Sequence, residues 1–235
     1  MKNYYIILLA FILLGIGCSK EVEVPKKRKP MHTASHVEYV LTFDDAPGNP
    51  DNVKEMLKYL KRYKVTATFF CVGHLLRTEP ELATRIAKEH TLANHTMTHS
   101  YLSKVDTWKW EVLECQKIVD SINLANNKPL NRYFRPPYGD LRKDQLEYLT
   151  SIGIKTVMWD VATEDWTKKS VSLMFSDIKS GVGNMLVGDI PIILMHFNPK
   201  SVKVIHWLLT KWSQNKRYSA ISLDEYYTRD LIHQL

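Results

Sequence analysis

The stretch "VLTFDDAPGNP", residues 40–50, ends a short apolar run on two adjacent aspartates. Val40, Leu41 and Phe43 read as the tail of a buried strand, and Pro47, Gly48 and Pro50 turn the chain. A helical candidate at 51–63 follows at once, so the stretch is a strand feeding a helix. Two neighbouring carboxylates repel each other and resist burial, so Asp44 and Asp45 need something that holds both in the ionised form.

Outward from this stretch the same alternation continues. Strand candidates fall at 38–43, 65–72, 90–94, 132–135, 154–159, 190–197 and 218–222, with helical candidates at 51–63, 79–89, 106–124, 142–151, 170–180 and 201–214. Strict alternation of this kind predicts an α/β fold of parallel strands joined by crossover helices. Six or seven units in about 200 residues are too few for a complete eight-unit barrel, which favours an abridged or open (β/α) barrel. A doubly wound sheet is the alternative, although no glycine-rich dinucleotide fingerprint follows any strand. In either architecture the working residues gather at the carboxyl ends of the strands, where Asp44 and Asp45 sit.

The chain of 235 residues is 45% hydrophobic, enough for one globular domain with a sizeable core. Its net charge of +7 is partly concentrated in "VPKKRKP", residues 24–30, which reads as a solvated tether. Such a run also suits nucleic acid, anionic lipid or an acidic wall polymer, with nucleic acid ranked low because nothing else in the chain supports it. Residues 1–18 combine Lys2, an apolar run from Tyr4 to Ile16, and small residues before Cys18, the pattern of an export signal. The run is short for a bilayer span. Cys18 resembles the cysteine acylated in bacterial lipoproteins, with Gly15 in place of the usual leucine, so export to the cell envelope with a lipid anchor to the membrane at Cys18 is expected, an uncleaved anchor or ordinary signal cleavage with secretion being the alternatives. The organisation is then an export signal at 1–18, a basic linker at 19–36 and a catalytic domain at 37–235. Cys71 and Cys115 can pair or remain buried thiols; no CxxC pattern supports a cysteine-based zinc site.

Several chemically active groups fall at other strand ends. In "NHTMTH", residues 94–99, His95 and His99 are four apart, so a helical turn would set both imidazoles on one face. Two imidazoles and an aspartate make a good set of ligands for a divalent transition metal and leave positions open for catalysis. "RYFRPPYGD", 132–140, places Arg135 in a segment stiffened by Pro136, where a guanidinium can brace a carboxylate; Arg132 is the weaker candidate. "VMWDVATEDW", 157–166, supplies Asp160, Glu164 and Asp165 beside Trp159 and Trp166, and "ILMHFN", 193–198, ends a core strand on His196. A carboxylate partner would raise the pKa of His196 and suit it to act as a general acid.

In this order, "TFDD", "HTMTH", "RPPYG", "DW" and "LMH" resemble the five motifs of the polysaccharide deacetylases, over about residues 37–235. The resemblance implies a distorted (β/α) barrel and a hydrolase that removes N-acetyl groups from N-acetylglucosamine-containing glycans such as peptidoglycan or chitin. It implies that Asp45, His95 and His99 bind one divalent metal, zinc above all or cobalt, and that Asp44 is the general base with Arg135 its partner. His196 would protonate the leaving amine, tuned by Asp165. The backbone N–H of Tyr138 would help hold the oxyanion, while Trp166 and Leu194, with Pro136, would line the substrate pocket. Two departures from the family pattern are Ala46, where a glycine is usual, and Ala162, where an aspartate is usual; Asp160 is therefore a reserve partner for His196. An O-acetyl xylan esterase or a non-sugar amidase with the same site, and a silent carbohydrate-binding protein, are the alternatives. The expected partner is the glycan, and the expected state is a monomer.

Overall fold

The computed structural model describes residues 31–233, so the expected export signal, Cys18 and most of the linker lie outside the described residues. The first long strand, β1 (Val37–Ala46), is buried along almost its whole length, which fits a central parallel strand covered on both faces. The helix after it, α1 (Pro50–Tyr63), starts where the Asn49 side chain accepts from the Asn52 N–H and ends at left-handed Lys64. Val53, Met56, Leu57 and Leu60 recur at helical spacing and form its buried stripe.

The chain then builds β2 (Thr68–Cys71), α2 (Gly73–Thr78), α3 (Pro80–Glu89) and β3 (Thr91–Asn94). Next come α4 (Trp108–Ala125), β4 (Tyr133–Phe134), α5 (Lys143–Ser151), β5 (Lys155–Thr156) and β6 (Val161–Ala162). It closes with α6 (Val171–Asn184), β7 (Ile192–Met195), α7 (Pro199–Ser213), β8 (Tyr218–Ala220) and α8 (Leu223–His233). The strands run parallel in the order β5-β4-β3-β2-β1-β7-β6, and β8 pairs with the opening of β1. The sheet is a half-barrel whose path ends at β5 and β6, in agreement with the abridged barrel expected from the alternation.

Four elements differ from the expected pattern. The strand expected at 154–159 stops after Thr156, because the carbonyls of Val157 and Met158 turn to the guanidinium of Arg135. The two-residue β6 and the short α2 are too brief to leave a periodic signal. α8 falls after the last expected strand, where no helix was expected.

Most of the core lies between the sheet and its helices. The rings of Phe43, Phe69 and Phe197 meet there at centroid distances of 5.3–5.7 Å. On the concave side, Val40, Phe70, Ala93, Val157 and Ile192 form a second buried cluster. The guanidinium of fully buried Arg135 sits 4.1 Å above the Phe70 ring. Cys71 and Cys115 are free, buried thiols, and burial raises the pKa of both, that of Cys115 to about 12. Trp108 packs edge-on against Tyr148, whereas Trp110 is about half exposed.

Candidate active site

β1 and the segments after β3, β4 and β7 deliver the chemistry to one end of the sheet. Asp44 and Asp45 lie near the end of β1; the backbone of Asp45 is left-handed (φ 65°), and both carboxylates reach towards His95 Nε2. Asp44 is buried and takes a hydrogen bond from Arg135 Nη1 to Oδ1 at 2.8 Å. The same nitrogen donates to Thr42 Oγ1, while Nε and Nη2 donate to the carbonyls of Val157 and Met158. Burial alone pulls the guanidinium pKa down, and the Asp44 carboxylate opposes that shift.

His95 and His99 are not on a helical turn. The left-handed backbones of Thr96 (φ 68°) and His99 (φ 62°) break any helix, and a loop carries both rings, with centroids 5.0 Å apart. The loop is fastened by side chains. Asn94 Oδ1 accepts from the Thr96 N–H, Thr96 Oγ1 accepts from the His99 N–H, and buried Glu111 accepts from Thr98 N–H and Oγ1. His95 Nε2 stands 3.5 Å and His99 Nε2 2.9 Å from Asp45 Oδ1. His95 Nε2 is also 3.8 Å from Asp44 Oδ2.

The donor chemistry tests whether a cation fits. His95 Nδ1 lies 2.8 Å from the carbonyl oxygen of Arg135, an acceptor, so Nδ1 carries the proton and Nε2 presents a lone pair to Asp45. Asp45 Oδ1 is buried and makes no hydrogen bond. Lone pairs aimed at one another without a proton between them are the signature of a missing positive charge. Among the described residues, Asp45, His95 and His99 form a three-donor cluster with ligand atoms within 4.8 Å of one another. The residues fit a divalent metal.

The other side of the site is built from β7 and the segment after β6. His196 Nδ1 is 2.8 Å from Asp165 Oδ1, and its backbone N–H donates to Asp165 Oδ2 at 2.7 Å. Ser201 Oγ also donates to Oδ2, and Asn198 Nδ2 donates to the Asp165 carbonyl while Asn198 caps α7. Burial lowers the His196 pKa, but Asp165 and the more distant Asp44 and Asp45 reverse the shift and raise it. Asp165 is lowered in turn, burial being outweighed by His196 and Ser201.

Asp160 stands elsewhere: its Oδ2 accepts from the N–H of Ile192, the first residue of β7. His196 follows the far end of that strand, four residues or roughly 13 Å away, so Asp160 is not its partner. Arg132 pairs with Asp120 at 3.1 Å and Glu164 with Lys169 at 2.6 Å, both outside the cluster. Ala46 needs no glycine, because the left-handed residue of the turn is Asp45. His90 is buried with its pKa lowered to about 4, and His206 stacks on Tyr59, so neither joins the site.

Around the rim, Tyr138 has a left-handed backbone (φ 61°), and its hydroxyl is 3.0 Å from His99 Nδ1. Pro136 precedes it in extended conformation, Trp166 sits edge-on to His196 at 5.1 Å, and Leu194 is buried in β7. Among the described residues seven that are not glycine have positive φ; Asp45, Thr96, His99, Tyr138 and Glu164 are all in the site or next to it in sequence. Strained backbone of this kind concentrates where function fixes geometry. Thr42, Asn94, Glu111, Asn198 and Ser201 complete the site without any sequence signal, except that Asn198 precedes Pro199 as a helix cap would.

Fold and donor cluster together define a class: a parallel half-barrel with a candidate metal centre at the carboxyl ends of its strands. A family model described as polysaccharide deacetylase matches residues 32–157, more than half of the chain. The chain belongs to the polysaccharide deacetylase family. It is 34% identical over 165 residues to a peptidoglycan-N-acetylglucosamine deacetylase of Bacillus cereus, covering 69% of this chain and 56% of that protein. It is 36% identical over 145 residues to a chitooligosaccharide deacetylase of a Bradyrhizobium species, covering 60% of this chain and 64% of that one. The solved structure of the Bc1960 peptidoglycan N-acetylglucosamine deacetylase matches with a TM-score of 0.70 at 27% identity, over 83% of this chain and 89% of that one. The chain thus spans between about half and two thirds of the curated relatives' length.

Proposed function

We propose that this chain is a metal-dependent hydrolase that removes N-acetyl groups from N-acetylglucosamine-containing glycans of a cell envelope, with peptidoglycan favoured. The observation that carries the reading is the pairing of Asp44, fixed by Arg135 beside a three-donor metal cluster, with a separate histidine–aspartate couple at the same strand ends. The family and the named activities of its relatives support it.

Asp45, His95 and His99 would hold the divalent cation, zinc in first place. The chemistry such a cation supplies is Lewis-acid polarisation of the acetyl carbonyl and a lowered pKa for water. Asp44 acts as the general base. Arg135 occupies Oδ1, which leaves Oδ2, the oxygen facing His95, to take the proton of the attacking water. The water oxygen bonds to the acetyl carbon, and the backbone N–H of Tyr138 stabilises the negative charge that develops on the carbonyl oxygen. His196 gives its proton to the nitrogen as the carbon–nitrogen bond breaks, releasing acetate and a free amine, and Asp165 keeps the imidazole charged and oriented. Trp166, Leu194 and Pro136 bound the pocket for the acetyl group.

The test is acetate release from N-acetylglucosamine oligomers and from peptidoglycan, with zinc or cobalt added, beside the Asp44→Asn variant. Turnover in the native chain, lowered by roughly 10²–10⁴ in the variant with metal still bound, is the expected result. Release of acetate only from O-acetylated glycans would replace the amide reading with an ester one. A native chain that binds glycan and metal without turnover would make it a binding protein. The expected export and lipid anchoring are tested by membrane partition of the native chain and the Cys18→Ser variant.

A further inference from the structure

Tyr101 belongs to none of the motifs, yet the exposed half of the donor cluster leans on it. The two histidines are held very differently. His95 is buried, and its Nδ1 is fixed by a backbone carbonyl. His99 is partly exposed, and its Nδ1 has only the hydroxyl of Tyr138, a side chain that is itself 56% exposed. Tyr138 is no rigid support on its own, because a left-handed backbone at a bulky residue persists only where the surroundings hold it.

The turn is closed by two backbone hydrogen bonds, from the Gly139 N–H to the Pro136 carbonyl and from the Asp140 N–H to the Pro137 carbonyl. The exposed Tyr138 ring itself is held by the Tyr101 ring, stacked on it at 3.8 Å between centroids and 10° between planes. Lys104 Nζ lies 4.2 Å from the centroid of the Tyr101 ring. Tyr101 leads into the short turn Leu102–Lys104, whose backbone is pinned to the 140–145 segment. Asp140 accepts from the Ser103 N–H, Arg142 donates to the Ser103 carbonyl, and Gln145 donates to the Leu102 carbonyl.

We propose that Tyr101 is a positioning residue of the metal centre: its ring holds Tyr138 so that the Tyr138 hydroxyl accepts from His99 Nδ1 and keeps Nε2 aimed at Asp45. The inference rests on the reading that Asp45, His95 and His99 bind a divalent cation, and it assigns the path Tyr101–Tyr138–His99 as the support of the exposed ligand. Partners of this kind set ring orientation and tautomer, and their loss weakens metal affinity by about 10–100-fold.

The test is zinc affinity of the full-length chain by chelator competition, together with the visible absorption spectrum of its cobalt form. Native chain, Tyr101→Ala, Tyr101→Phe, Tyr138→Phe and the Tyr101→Ala/Tyr138→Phe double variant are compared. Tyr101→Phe keeps the stack and is expected to match the native chain. Tyr101→Ala and Tyr138→Phe are each expected to weaken zinc about tenfold and to change the cobalt spectrum in the same direction. The double variant is expected to be no weaker than the worse single one, because both act on one path.

A Tyr101→Ala chain with native zinc affinity and cobalt spectrum overturns the proposal, as does a double variant whose losses multiply. So does a rise in KM alone with the metal unaffected, which would make Tyr101 a substrate contact. If Tyr101→Ala melts early, Tyr138→Phe decides, since native affinity there breaks the path at its last link. A native chain that binds neither metal overturns this proposal and the catalytic reading together, whereas metal bound normally in every variant overturns this proposal alone.

Discussion

His196 and Asp165 are joined twice, once through the imidazole Nδ1 and once through the His196 backbone N–H, so the carboxylate fixes both the position and the charge of the ring. The folded pKa of His196 is raised and that of Asp165 lowered. The stability the raised histidine contributes is fully present below its unfolded value of about 6.5 and is lost as pH rises through the folded value. The aspartate's contribution is present above about 4 and is lost as pH falls through its lowered value. Activity that needs the imidazolium falls on the alkaline side, above the raised pKa. Asp165→Asn removes the charge that raises it, so the alkaline limb of the kcat profile is expected to move to lower pH, which a pH–rate series in both chains measures.

Withdrawing metal should cost both turnover and stability. A chelator is expected to abolish acetate release, and zinc or cobalt to restore it. A ligand at a hundred times its Kd adds about 2.7 kcal/mol to the folded state, so the chelated chain should melt at lower temperature. His95→Ala and Asp45→Asn should show the lower Tm without chelator and no response to added metal.

Removing the guanidinium of Arg135 strands a buried carboxylate. Arg135→Ala is expected to cost about 3–5 kcal/mol in urea unfolding, because Asp44 loses its partner inside the barrel. Arg135→Ala with Asp44→Ala should be less destabilised than the sum of the single variants. Additive losses would show that the pair contributes little to the fold.

The cap of α1 gives a change confined to the scaffold. Asn49→Ala removes the side-chain acceptor for the Asn52 N–H and is expected to cost about 1 kcal/mol of stability. Thermal melts would register it, with kcat expected to remain near the native value.

Much of the barrel is legible because β1, β2, β3 and β7 lie in apolar runs between amphipathic helices; β6 is not, since its two residues lie inside the acid- and tryptophan-rich stretch 157–166. At the site, the aspartate pair, Arg135 and the two histidines stood out by residue type. Their local geometry did not. His95 and His99 are drawn together by left-handed turns at Thr96 and His99 and by hydrogen bonds to Asn94 and Glu111, none of which spacing reveals. Asp160 and Asp165 looked alike in sequence; only strand register, with Asp160 at the start of β7 and Asp165 beyond its end, separates them. Tyr101 was invisible because an aromatic outside every motif reads as ordinary surface.

Arg135 carries a wider consequence. Its guanidinium joins the Asp44 carboxylate on β1 to the carbonyls after β5, and its own carbonyl fixes the tautomer of His95 after β3. One side chain and one peptide unit therefore serve as fastener for three strands and as reference point for proton and metal chemistry. Assembly of the barrel and arming of the site become one cooperative event. A nascent or partly unfolded chain lacks this arrangement of Asp44, Arg135 and His95, which arrives only with the finished fold.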